Sequence, residues 1–144
     1  MRILFVCTGN TCRSPMAEAL MKKISEEKGF QNLSVDSAGI FANPDAPISK
    51  QAKAVLEQCF SIESFSHKAK PLTKELLEKA DLAVCATEDH RRLLVQKFGF
   101  EKKTVAFPED ISDPYGGFFE TYLASANAIK KGLESLIVEG VIYD

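Results

Sequence analysis

Residues Arg2-Ile3-Leu4-Phe5-Val6-Cys7-Thr8-Gly9-Asn10-Thr11-Cys12-Arg13-Ser14-Pro15 read as a short apolar strand that turns through a polar loop into a helix. A Cys-x5-Arg spacing across such a turn lets backbone N–H groups point inward at one phosphate, while the helix N-terminus adds its positive end. The thiol of Cys7, at the strand's end, then lies where a phosphorus atom would sit. Those donors and the nearby Arg13 guanidinium favour thiolate, the nucleophilic form of the side chain.

The other loop positions have their own chemistry. Gly9 and Asn10 suit a loop that needs positive φ, and the Asn10 amide can hold the loop's shape. Arg13 offers a planar fork of donors that matches two equatorial oxygens of a phosphoryl group. Ser14 can cap the helix and also donate a hydrogen bond to a departing thiolate. Pro15 fits the first helical turn, where its missing N–H is not needed. Thr8, Gly9, Asn10, Thr11, Cys12 and Ser14 thus make up a phosphate-binding loop around Cys7 and Arg13.

Outward from this segment, strand and helix patterns alternate without a linker or repeat. Apolar Met16, Ala17, Leu20 and Ile24 predict a helix over 15–28, ending before Gly29. A strand at 33–37, a helix at 48–59 and a short helix at 73–79 capped by Thr73 follow. The continuous apolar run at 81–86 has the character of a parallel strand covered on both faces. A helix through Arg91-Arg92-Leu93-Leu94 and a strand at 104–107 come next. The final helix, over 118–138, carries Phe119, Tyr122, Leu123, Ala126, Ile129, Leu133 and Leu136 along one stripe. This rhythm predicts an α/β, doubly wound (Rossmann-like) fold: a four-stranded parallel sheet with helices on both faces and its ligand beyond the strands' carboxyl ends.

The chain has 144 residues with 45% apolar content, enough for a single domain over 1–144 with an adequate core. A net charge of −2 gives no general attraction to nucleic acid or an anionic membrane. No stretch has the roughly 20 apolar residues of a membrane span, and the motif-bearing N-terminus is unlike a signal peptide, so a cytoplasmic monomer is expected. Cys7, Cys12, Cys59 and Cys85 lack the paired spacing of a zinc site, and no metal or organic cofactor is expected. Cys12 shares the loop with Cys7 and could trap an oxidised sulfenic acid as a reversible disulfide. Cys59 and Cys85 read as core residues, and His90 as a solvated helix residue.

Asp113 lies in a Pro/Gly-punctuated loop, 107–117, expected to arch over the pocket between the fourth strand and the last helix. A carboxylic acid there could protonate a departing atom and then take a proton from the attacking water. Asp110 is its nearby competitor. Tyr115, with Phe41 or Phe118, could wall a slot for an aromatic phosphate.

The stretch from Val6 to Glu18, together with Asp36-Ser37-Ala38-Gly39, His67, Asp81-Leu82 and Asp113-Pro114-Tyr115, resembles the low-molecular-weight protein tyrosine phosphatase family along the whole chain. The resemblance implies a hydrolase acting on phosphorylated proteins through a phosphocysteine on Cys7, with Asp113 as acid and inorganic phosphate as product and inhibitor. It also implies that Asn10, Ser14, Ser37 and His67 hold the loop taut, and that Cys12 protects the nucleophile. Thr11 resembles the family's bacterial protein-arginine-phosphatase branch, since the tyrosine-specific branch usually has a bulky aliphatic residue there. Gly116-Gly117 points the same way, although that branch more often has phenylalanine before the glycines. Phosphoarginine is therefore favoured over phosphotyrosine, with a strict tyrosine phosphatase as the alternative. An arsenate reductase would need a second cysteine pair near Cys85, and a phosphocysteine carrier would not need Arg13 and Asp113.

Overall fold

The computed structural model describes residues 1–144. Its strands are β1 (Arg2–Cys7), β2 (Ser34–Gly39), β3 (Leu82–Cys85) and β4 (Thr104–Ala106). Its helices are α1 (Arg13–Lys28), α2 (Lys50–Phe60), α3 (Lys74–Lys79), α4 (Glu88–Phe98) and α5 (Phe119–Val138). All strand pairs are parallel, in the order β2-β1-β3-β4, as the alternating pattern predicts. The chain leaves β1 towards β2 on one side and reaches β3 on the other, so the switch point lies at the end of β1, at Cys7.

Alternation along β1 divides the core in two. Ile3, Phe5 and Cys7 face the layer of α1, α2 and α5, where they join Met16, Leu20, Val55, Leu56, Ile129 and Leu133. Leu4 and Val6 face the other layer, with Leu77, Ala83, Cys85 and Leu94. A strand buried on both faces needs an unbroken apolar run, which β1 has.

Local chemistry sets the helix ends. Ser49, Thr73 and Thr87 each accept a bond from the backbone N–H three residues on, capping α2, α3 and α4. Gly29 ends α1 at φ 71°. The expected α1 stripe is only part of the pattern, because every residue from Arg13 through Met21 is buried. The helix begins under the loop at the molecule's centre and reaches solvent only in its second half. β2 continues to Gly39, beyond the expected end, because Ala38 and Gly39 pair with Val6 and Cys7.

Phe107, just after β4, stacks on Phe5 with ring centroids 6.1 Å apart and fills the space beside Gly132 of α5. A Cβ at position 132 would lie 2.5 Å from the Phe107 ring. Gly132→Ala is therefore expected to lose about 1–3 kcal/mol of stability through overpacking, measured by urea unfolding. An unchanged midpoint would contradict the clamp.

Candidate active site

The loop between β1 and α1 is built around Asn10, whose backbone is left-handed at φ 56° and whose side chain is fully buried. Asn10 Nδ2 donates to Ser14 Oγ at 2.8 Å and to Ser37 Oγ at 3.0 Å. Its Oδ1 accepts from the Lys70 backbone N–H at 3.0 Å. Its carbonyl lies 2.6 Å from His67 Nε2. Ser37, at the centre of β2, donates to Glu18 Oε1 at 2.7 Å, and Lys22 Nζ lies 2.6 Å from Glu18 Oε2. Lys22 also sits 5.6 Å from the centre of the Phe65 ring, which stacks on His67. Two arms of contacts therefore leave Lys22 and meet again at Asn10.

The donors in this network have a direction. Glu18 as a carboxylate can only accept, so Ser37 donates to it and accepts from Asn10. The second Asn10 N–H goes to Ser14 Oγ, which leaves the Ser14 hydrogen for Cys7 Sγ, 2.9 Å away. Ser14 is thus inside the first turn and does not cap α1, contrary to expectation: the N-cap is Cys12, and it makes no side-chain cap bond. The first-turn amides keep no side-chain acceptor, which suits an anion site.

Gly39 lets β2 approach this loop closely. A Cβ there would lie 2.6 Å from the Thr8 carbonyl oxygen and 2.9 Å from the Asn10 nitrogen.

Arg13 is buried, with Nη1 donating to the Ile111 carbonyl at 3.0 Å and Nη2 standing 3.8 Å from Asp113 Oδ2. Asp113 is more than half exposed, and its Oδ1 accepts from the Tyr115 N–H at 3.1 Å. Asp110 instead accepts from the Glu88 N–H at the start of α4, at 2.9 Å, so Asp113 is the carboxylate presented to the pocket. A cavity of about 230 Å³ is lined by Cys7, Thr8, Gly9, Thr11, Cys12, Arg13, Asp113 and Tyr115. Phe41 is not part of that wall. Its N–H bonds the Thr8 carbonyl while its ring is 69% exposed. Phe118 also stands out in solvent.

A family model described as low molecular weight phosphotyrosine protein phosphatase matches residues 2–141. The chain belongs to that family. The protein-arginine-phosphatase of Bacillus subtilis (strain 168) is 39% identical over 145 residues, covering 94% of each sequence. The low molecular weight protein-tyrosine-phosphatase PtpB of Staphylococcus aureus is 33% identical over 132 residues, covering 85% of this chain and 87% of that one. A solved structure of the YwlE arginine phosphatase, a C7S mutant with phosphorylated active site serine, superposes with a TM-score of 0.90 at 37% identity, over 96% of this chain and 95% of that one.

The phosphatase's remaining cysteines differ in setting. Cys12 Sγ lies 3.5 Å from Ser49 Oγ and 3.8 Å from Tyr122 Oη. Burial, reinforced by Cys12, pushes the Tyr122 hydroxyl above its usual range. Cys85 is buried in the opposite core layer, and burial pushes its thiol up to about 12, consistent with an inert core residue. Cys59 is exposed, against expectation. It stands in the last turn of α2, where a groove lined by Lys23 and Lys130 opens to solvent.

His90 is the larger correction, for it is buried, not solvated. Nε2 lies 2.8 Å from Thr8 Oγ1 and Nδ1 lies 2.8 Å from Thr87 Oγ1. Burial, and then Arg13, hold its pKa below the usual 6.5, against the opposing pull of Asp89, Asp110 and Asp113. Below about pH 6.5 an unfolded chain therefore binds a proton at this position that the folded one resists, and stability falls as pH falls through that window. Urea unfolding at about pH 7 and about pH 5.5 should show a smaller acid loss for His90→Gln than for wild type. Equal losses in both proteins would contradict the assignment.

Proposed function

We propose that this chain removes phosphate from modified protein side chains, phosphoarginine ahead of phosphotyrosine, through a phosphocysteine on Cys7. The observation carrying the reaction is the convergence of Cys7, Arg13 and Asp113 on one cavity. Ser14 donates to the sulfur, and Arg13 stands 3.8 Å from the acid.

In the first half-reaction the Cys7 thiolate attacks phosphorus in line with the leaving group. As the S–P bond forms, the bond from phosphorus to the substrate nitrogen or oxygen breaks, and Asp113 gives its proton to that atom. In the second, Asp113 as carboxylate takes a proton from water, whose oxygen attacks phosphorus. The S–P bond breaks, and the thiolate leaves against the Ser14 hydroxyl. Arg13 and the loop amides carry the charge on the equatorial oxygens throughout. Ser37 and His67 act through Asn10, and no step calls for a metal or organic cofactor.

Substrate preference rests on Thr11. This residue lines the cavity, and its hydroxyl touches only Cys12 Sγ, at 3.8 Å, so the wall there offers a polar group. A polar guanidinium tolerates that hydroxyl, where a phenyl ring prefers a methyl group. The relatives named protein-arginine-phosphatase, at 39% and 38% identity, support the same reading. Tyr115, the one aromatic side chain in the wall, favours the second reading, a tyrosine phosphatase.

Matched peptides carrying phosphoarginine or phosphotyrosine separate the two. The wild type is expected to favour phosphoarginine in kcat/KM by about tenfold, Thr11→Ile to reverse that order, and Cys7→Ser to release no phosphate. A wild-type preference for phosphotyrosine would end the arginine reading. Asp113→Asn should lower kcat by roughly 10²–10⁴-fold, and a near-normal rate would move the acid elsewhere.

A further inference from the structure

Thr8 follows the proposed nucleophile directly and lines the cavity, and its side chain is fixed from behind by a residue 82 positions later in the chain. His90 belongs to the first turn of α4, which follows β3 on the β1–β3 side of the switch point and meets the pocket only through Thr8. Thr87 caps that helix by accepting the His90 backbone N–H at 3.1 Å, and Asp110 accepts the Glu88 N–H at 2.9 Å. The imidazole is therefore anchored at its own backbone, at Nδ1 and at Nε2, inside a buried site.

The hydrogen positions follow from counting donors. Thr87 Oγ1 already accepts the His90 backbone N–H, and its own hydrogen has one acceptor within reach, His90 Nδ1 at 2.8 Å. Nδ1 is then bare, and in a neutral ring the proton resides on Nε2. Nε2–H donates to Thr8 Oγ1 at 2.8 Å, and the Thr8 hydroxyl hydrogen has no acceptor in the protein. The reverse tautomer would strand the Thr87 hydrogen and turn the Thr8 hydrogen back into the protein. Burial keeps the ring neutral, so the arrangement persists at neutral pH.

We propose that the Thr8 hydroxyl is a further donor to the phosphoryl group, and that His90 is a positioning residue which, as the Nε2–H tautomer, turns that donor into the pocket. This deepens the phosphatase reading and rests on it. Thr8 donates to an anionic oxygen on the side of the pocket away from the Asn10 network, while His90 itself never touches substrate. Because both partners of Thr8 Oγ1 are then assigned, losing either residue removes the same interaction.

Two measurements test it. In 15N-labelled wild type near neutral pH, long-range imidazole correlation spectra should show His90 with a protonated Nε2 and a bare Nδ1. The opposite tautomer overturns the proposal. Binding of inorganic phosphate and kcat/KM on a small aryl phosphate are then compared for Thr8→Val, His90→Phe, their combination and His90→Gln. Thr8→Val should weaken phosphate binding about tenfold, the size of one hydrogen bond to a charged group. His90→Phe should do the same, the combination should be no weaker than Thr8→Val alone, and His90→Gln, which keeps an N–H donor, should recover most of the loss. Thr8→Val lies in an exposed loop position and reports even where His90→Phe does not fold. Wild-type affinity in Thr8→Val, or losses that multiply in the combination, overturn the proposal. A wild type that neither binds phosphate nor hydrolyses the aryl phosphate removes the phosphatase reading first, and the donor role with it.

Discussion

Between Glu18 and Cys7 runs a line of hydrogen bonds whose direction is imposed from one end. A buried carboxylate that can only accept fixes the Ser37 hydroxyl, which fixes one Asn10 N–H, and the other Asn10 N–H leaves Ser14 a single hydrogen to aim at sulfur. A donor aimed in advance at a developing negative charge costs no reorganisation when the charge arrives. The left-handed backbone of Asn10 belongs to the same constraint. Glycine would tolerate that φ more readily, but it has no amide to hold Ser14, Ser37 and the Lys70 N–H together.

The acid side of the pocket is held differently. Phe107 is clamped between Phe5 and Gly132, Ile111 receives Arg13 on its carbonyl, and Asp110 is tied to α4. At the far end, Gly117 packs so tightly that a Cβ would stand 2.8 Å from Thr121 and 2.9 Å from the Pro114 carbonyl. Asp113 therefore stands on a short arch between fixed points, exposed to water yet near Arg13. The same arginine bridges the floor and the arch, so one buried guanidinium faces the cavity and also holds the loop that carries Asp113.

Much of this was legible because the chemistry is local in sequence. Cys7, Asn10, Arg13 and Ser14 lie within one strand-to-helix turn, and the burial of β1 on both faces follows from its unbroken apolar run. What escaped the sequence depends on distant partners. His90 stands four residues before Leu94 on the buried face of α4, a spacing that could have marked it as inward, but its polar partner Thr8 is supplied only by the arrival of β1 beside β3. Ser14 looks like a cap until Asn10 and Cys7 are seen to take its hydroxyl. Phe41 is tied behind the loop by a backbone bond to Thr8, while its ring turns outward, a choice that no spacing encodes. Cys59 has helical spacing that suits a core residue, but at that turn its neighbour Phe60 packs against the core and Cys59 is left in the groove beside Lys23 and Lys130.

The Thr11 and Tyr115 side chains at the rim are nearly unbonded to the floor. Thr11 reaches only a weak sulfur neighbour, Tyr115 is largely in solvent, and neither side chain bonds to Asn10, Ser37, Glu18 or His67. Mutational drift at the rim can therefore proceed without disturbing the floor. On the proposed reading, the choice between one modified amino acid and another is therefore made by side chains that can be exchanged without touching the hydrogen bonds below them.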